Sequence, residues 1–129
     1  RNKLFTGLRR GGKLLEGTSG AEIHPMVAPQ DCDVIVVKKR VNAFFNTELE
    51  TILKSHAVDT LILMGIATSG VILSTVRWAA DADYSIIVVS DCCHDGDKQV
   101  HSLLIEKILP RQADVVSTVE IFELFKDLR

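Results

Sequence analysis

From Asp33 onward the chain alternates short, continuous apolar runs with longer amphipathic stretches. The runs are Val34-Ile35-Val36-Val37, Thr60 to Met64, Ser85 to Val89 and the shorter Asp114 to Val116. Uninterrupted β-branched runs of this kind predict strands buried on both faces. The amphipathic stretches predict helices near 46–56, 69–82, 97–108 and 118–127. Connections that hold a helix of ten or more residues force successive strands to run parallel.

The resulting fold class is α/β, a three-layer Rossmann-like sandwich of four βα repeats with a mainly parallel sheet flanked by helices. Helix starts are marked by Asn46 with Glu48 and Glu50 in the first turn, by Thr68 or Ser69 before Val71, and by Asp95 or Asp97 before Val100. Pro110 ends the third helix because it cannot continue one. Residues 1–30, punctuated by Gly11-Gly12, Gly17 and Gly20, read as a loop-rich wrapping segment with short elements. Residues 1–129 are expected to form one domain that is incomplete at its N-terminus, since four strands make a thin sheet for this architecture. An added strand is expected from residues 1–30, from a partner subunit or from a segment outside the sequence.

Composition narrows the function classes. The 129 residues are 47% hydrophobic and 25% charged, enough for a sizeable core. Fifteen Lys and Arg against 17 Asp and Glu leave a net charge of -2, without the footprint of a nucleic-acid or anionic-membrane binder. Arg9-Arg10-Gly11-Gly12-Lys13 is a solvated loop on this reading. Cys32, Cys92 and Cys93 are an odd count without framework spacing, which points to a reducing, cytoplasmic setting. No window approaches the roughly 18 apolar residues of a membrane span.

Candidate chemistry gathers in the loops after the strand carboxyl ends, where open parallel sheets bind ligands. Lys38 follows the first apolar run, so its ammonium is expected at the rim, with Lys39 and Arg40 weaker candidates because adjacent strand-end side chains point apart. Gly65-Ile66-Ala67-Thr68-Ser69-Gly70 is a small-residue turn into a helix, a place where backbone amides meet an anion or oxyanion. It is not a dinucleotide fingerprint. Asp91-Cys92-Cys93-His94-Asp95 lacks metal-ligand spacing, so no metal and no cofactor are expected. Asp91 is expected to cap or brace the loop and Cys92 and Cys93 to be small buried groups, with His24, His56 and His101 structural or exposed.

The segments Val36-Val37-Lys38-Lys39-Arg40-Val41-Asn42-Ala43-Phe44, Thr47-Glu48-Leu49 and Gly65-Ile66-Ala67-Thr68 through Thr75 resemble the isochorismatase-like (cysteine hydrolase) superfamily. The resemblance runs from about Asn2 to Glu123. It implies a three-layer α/β domain and, for the cysteine hydrolases, an Asp-Lys-Cys triad that cleaves amides. The lysine maps onto Lys38 and the cysteine onto Val71, which cannot attack a substrate. The family's non-proline cis peptide falls at Ile66–Ala67, its oxyanion hole on the amides of Ala67 and Val71, and its aspartate upstream of position 1. The substrate-binding set is Phe44, Ala67, Thr68, Ser69 and Gly70. The function implied is a small-molecule hydrolase without a cysteine nucleophile, or else an inactive ligand-binding or assembly protein of the same fold. A homo-oligomer with no nucleic-acid or membrane partner is expected.

Overall fold

A computed structural model describes residues 2–127. It divides into two compact units, Arg1–Ile35 and Val36–Arg129. The first holds helix α1 (Lys3–Arg10) and two single 3-10 turns, Ser19–Ala21 and Pro25–Val27. Asn2 caps α1 by accepting from the Phe5 amide at 3.2 Å. None of the described residues of this unit is buried.

The second unit carries α2 (Leu49–Ser55), β1 (Thr60–Ile66), α3 (Leu73–Asp81), β2 (Ser85–His94), α4 (Lys98–Leu103), β3 (Asp114–Val116) and α5 (Thr118–Asp127). The sheet is parallel, in the order β1-β2-β3, and is flanked by helices, as the α/β reading requires. Thr60 to Leu63 pair with Ser85 to Val88, and Gly65 and Ile66 rejoin β2 at Cys93 and His94. Between those registers Val89 to Cys92 face only Met64. There β2 serves β3 instead, with Ile87, Val88 and Val89 opposite Asp114, Val115 and Val116.

One expected strand is absent. Val34 to Val37 form no ladder, and Val34, Ile35 and Val37 are 61, 58 and 65% exposed. β-propensity describes a fit to a neighbouring strand, and a run without a neighbour stays irregular. Lys38 therefore does not emerge from a strand end. The second helix also starts later than expected, because Asn46 adopts a left-handed turn (φ 57°) and the helix begins after Glu48.

The core lies on one face of the sheet. Leu61 of β1 and Ile86 and Val88 of β2 meet Ile72, Val76 and Ala79 from the α3 side, with Phe44, Cys93 and Leu109 completing the cluster. Phe44 stacks on Trp78 at 3.9 Å between ring centroids. On the opposite face Val89 and Ile121 of α5 are buried outside this cluster. α5 is capped reciprocally: the Ser117 amide donates to Glu120 Oε2 at 2.7 Å, and the Glu120 amide to Ser117 Oγ at 3.3 Å.

Candidate functional site

Strand β1 leaves the sheet through a cis peptide at Ile66–Ala67, where the resemblance puts one. Residues Thr68–Ile72 then form a π-type turn that runs directly into α3. Such widened turns are frequent at functional sites, because they displace backbone groups from the regular ladder. The Ala67 carbonyl accepts from both the Gly70 amide (3.0 Å) and the Ile72 amide (3.3 Å), which closes the turn on itself.

Two side chains from beyond β2 hold this turn in place. Thr68 is fully buried, and its hydroxyl lies 2.8 Å from His101 Nδ1, donating when that nitrogen is unprotonated. The Ser69 amide donates to Asp95 Oδ2 at 2.7 Å. Asp95 also accepts from the Asp97 amide at 3.3 Å. Hydrogen bonds from Ser69, through its side chain first and then its amide, hold the buried Asp95 carboxyl below the usual carboxylate range. Asp97 in turn caps α4 through the Gln99 and Val100 amides (2.9 and 3.2 Å), and its carbonyl accepts from the His101 amide. A single short segment thus sets both braces.

Upstream residues reach the same turn. Val41 lies beside Gly70, where an added Cβ would sit 3.8 Å from Val41 Cγ1. Asn42 Nδ2 donates to the Ser74 carbonyl at 2.8 Å, and the Ala43 amide to Thr75 Oγ1 at 3.4 Å. Phe44, adjacent in sequence, lies inside the core against Trp78. The structure therefore brings Val41 to Ala43 together with the Ala67–Val71 turn. Lys38 stands three residues earlier on an exposed stretch, its ammonium donating to the Arg40 carbonyl at 3.0 Å. Within the turn Ser69 is exposed, Ala67, Gly70 and Val71 are half-buried, and Val71 packs against the core.

The Asp91–Asp95 loop serves several ends. Asp91 accepts from the Thr118 hydroxyl (2.6 Å) and amide (2.9 Å), tying the first turn of α5 to β2, and the hydroxyl contact chiefly lowers its pKa. Cys93 is buried, which pushes its thiol up. Cys92 is exposed, contrary to the expectation that both are buried, because β2 has left β1 at that point. Among the described residues no group of three or more His, Cys, Asp or Glu is placed to hold a metal ion. No helix among them is long and apolar enough to cross a membrane.

Sequence reasoning missed His101 and Asp95 as braces. Their partners lie 33 and 26 residues away, and no spacing rule links a helical histidine to a distant threonine.

A model of the isochorismatase domain matches residues 1–120. Maleamate amidohydrolase of Pseudomonas putida is 31% identical over 115 residues, covering 89% of this chain and 54% of that protein. YwoC, an uncharacterised isochorismatase family protein of Bacillus subtilis, is 34% identical over 106 residues, 82% of this chain and 56% of its own. Among solved structures, a cysteine hydrolase from Pseudomonas syringae pv. phaseolicola superposes on 98% of this chain and 63% of its own, with a TM-score of 0.87 and 26% identity. The chain spans about half the length of the curated relatives it matches.

Proposed function

The chain belongs to the isochorismatase family, and from that premise we propose a hydrolase-like protein acting on a small molecule without a cysteine nucleophile. The braced Ala67–Val71 turn carries the reading. The turn is held from two sides, by His101 at the Thr68 hydroxyl and by Asp95 at the Ser69 amide, so the Ala67 and Val71 amides need no reorganisation when negative charge develops on a bound carbonyl or carboxylate. In this proposal Ala67, Thr68, Ser69 and Gly70 shape the anion-binding end. Phe44 supports it from the core, and Lys38 swings from the Arg40 carbonyl to balance substrate charge. The lysine stem is long and exposed, so that movement breaks one surface hydrogen bond.

Val71 excludes a thioester intermediate, because its side chain has neither nucleophile nor proton. The acid–base step falls to the aspartate that the resemblance puts upstream of position 1, in a polypeptide that carries it. The amidohydrolase activity named for the Pseudomonas putida relative makes small amides the first substrates to test. In such a polypeptide Val71→Cys is expected to create amide hydrolysis that a thiol alkylator abolishes, and Lys38→Ala to reduce it by at least tenfold. If Val71→Cys gains no activity and small carboxylates leave the amide resonances of residues 67–71 unmoved, the hydrolase reading fails.

Val71 itself favours a second reading, a non-catalytic ligand-binding or assembly protein. Carboxylate-induced shifts at residues 67–71 without turnover in either variant would select it. Both readings include a homo-oligomer and exclude nucleic acid and membrane as partners.

A further inference from the structure

Asp95, 8% exposed, is the one buried charged side chain among the described residues. It lies against the candidate site, its Oδ2 2.7 Å from the Ser69 amide nitrogen. Its partners are all neutral: the Ser69 hydroxyl and amide, the Gly96 amide and, 3.3 Å from Oδ1, the Asp97 amide. The ion pairs among the described residues, Lys54–Glu50 and Lys126–Glu123, lie elsewhere. Donors of this kind favour the ionised carboxyl and hold it charged at neutral pH. They solvate the charge without cancelling it, so a fixed negative charge stands against the turn.

That charge is close to where a ligand oxygen would sit. Ser69 gives its amide to Asp95, and Gly70 and Ile72 give theirs to the Ala67 carbonyl. In the proposed site the ligand's oxygen meets the Ala67 and Val71 amides, each two residues from Ser69. With successive Cα atoms about 3.8 Å apart, this oxygen and the Asp95 carboxylate are separated by on the order of 7 Å. At that distance, in a partly buried site, repulsion between two negative charges weakens binding by roughly tenfold.

We infer that Asp95 is a specificity-determining residue, which sets the site for carbonyl compounds that are uncharged at the reacting group, such as amides, and against carboxylates. This role rests on the hydrolase-like reading of the Ala67–Val71 turn. Hydrolysis of an amide breaks the C–N bond, puts the hydroxyl of water on the carbonyl carbon and its proton on the amine. The acid so formed ionises beside Asp95, and the repulsion speeds its departure. A developing oxyanion feels the same field, and the Lys38 ammonium is the counter-charge that the proposed site supplies for it.

Titration of the intact protein at neutral pH with benzamide and, separately, benzoate tests this, read at the amide resonances of residues 67–71. Benzamide is expected to bind more tightly than benzoate, by roughly tenfold. Asp95→Asn keeps an oxygen for the Ser69 amide and removes the charge. It should raise the affinity for benzoate relative to benzamide by roughly tenfold, whereas a residue that only braces the turn would move both affinities together. The proposal is overturned if Asp95→Asn leaves the ratio of the two affinities unchanged. It is equally overturned if the unmodified protein binds benzoate at least as tightly as benzamide, a result that needs no variant to fold. Silence of the 67–71 amides toward both compounds would overturn the hydrolase-like reading as well, while binding without the charge preference overturns the role of Asp95 alone.

Discussion

Leu61 and Ile62 are adjacent on β1 and nearly identical in hydrophobicity, yet one is 7% exposed and the other 39%. The same contrast runs along the strand, with Leu61 and Leu63 inside the core or packed on it and Ile62, Met64 and Ile66 facing outward. The core face is closed because Phe44, Val76 and Ala79 stand against it, brought there by the 41–44 segment and α3. On the other face, among the described residues, α5 alone is present, over β2. Strand periodicity supplies two apolar faces, and what lies against each decides which becomes core.

The largest effect is expected where the closed face is opened. Phe44→Ala removes the ring stacked on Trp78 and should cost about 3–5 kcal/mol, read from denaturant unfolding. Val41, Asn42 and Ala43 should loosen from the turn with it, so their amides should also lose exchange protection. A loss below about 1 kcal/mol would show that the segment packs independently of the core.

The next effect lies at the turn between the faces. Asp95→Ala leaves the Ser69 amide without its acceptor and should cost about 1–3 kcal/mol at neutral pH. The Asp95 carboxyl is held below its ordinary pKa by Ser69, so its contribution is complete above the unfolded value of about 4 and is lost as pH falls through the folded value. Removing the side chain should accordingly flatten the acid limb of the stability profile. An acid limb unchanged in Asp95→Ala would assign that limb to other carboxylates.

The smallest effect belongs to the open face. Met64→Ser, at a position 54% exposed, should leave the stability of the fold within about 0.5 kcal/mol, since little of the side chain leaves water on folding. A loss comparable to that of Phe44→Ala would mean that the face is covered in the native protein, and the contrast between the two sides of β1 would disappear.

The amino-acid order by itself determined the parallel α/β class, the positions of three strands, and the turn from Gly65 into a helix. Each is a local matter: β-branched runs, helix-length connections, and small residues where the backbone changes direction. The cap at Asp97 and the tie from Asp91 are legible for the same reason, because carboxylates at strand ends seek the amides that helix starts leave open. Tertiary structure alone decided that Val34–Val37 would not be a strand, since a strand exists only with a neighbour and none of its four residues carries information about one. It also decided that His101 and Asp95 would hold the Ala67–Val71 turn and that Phe44 would lie in the core. These outcomes depend on distant segments arriving at the same place, which hydrophobic periodicity does not encode.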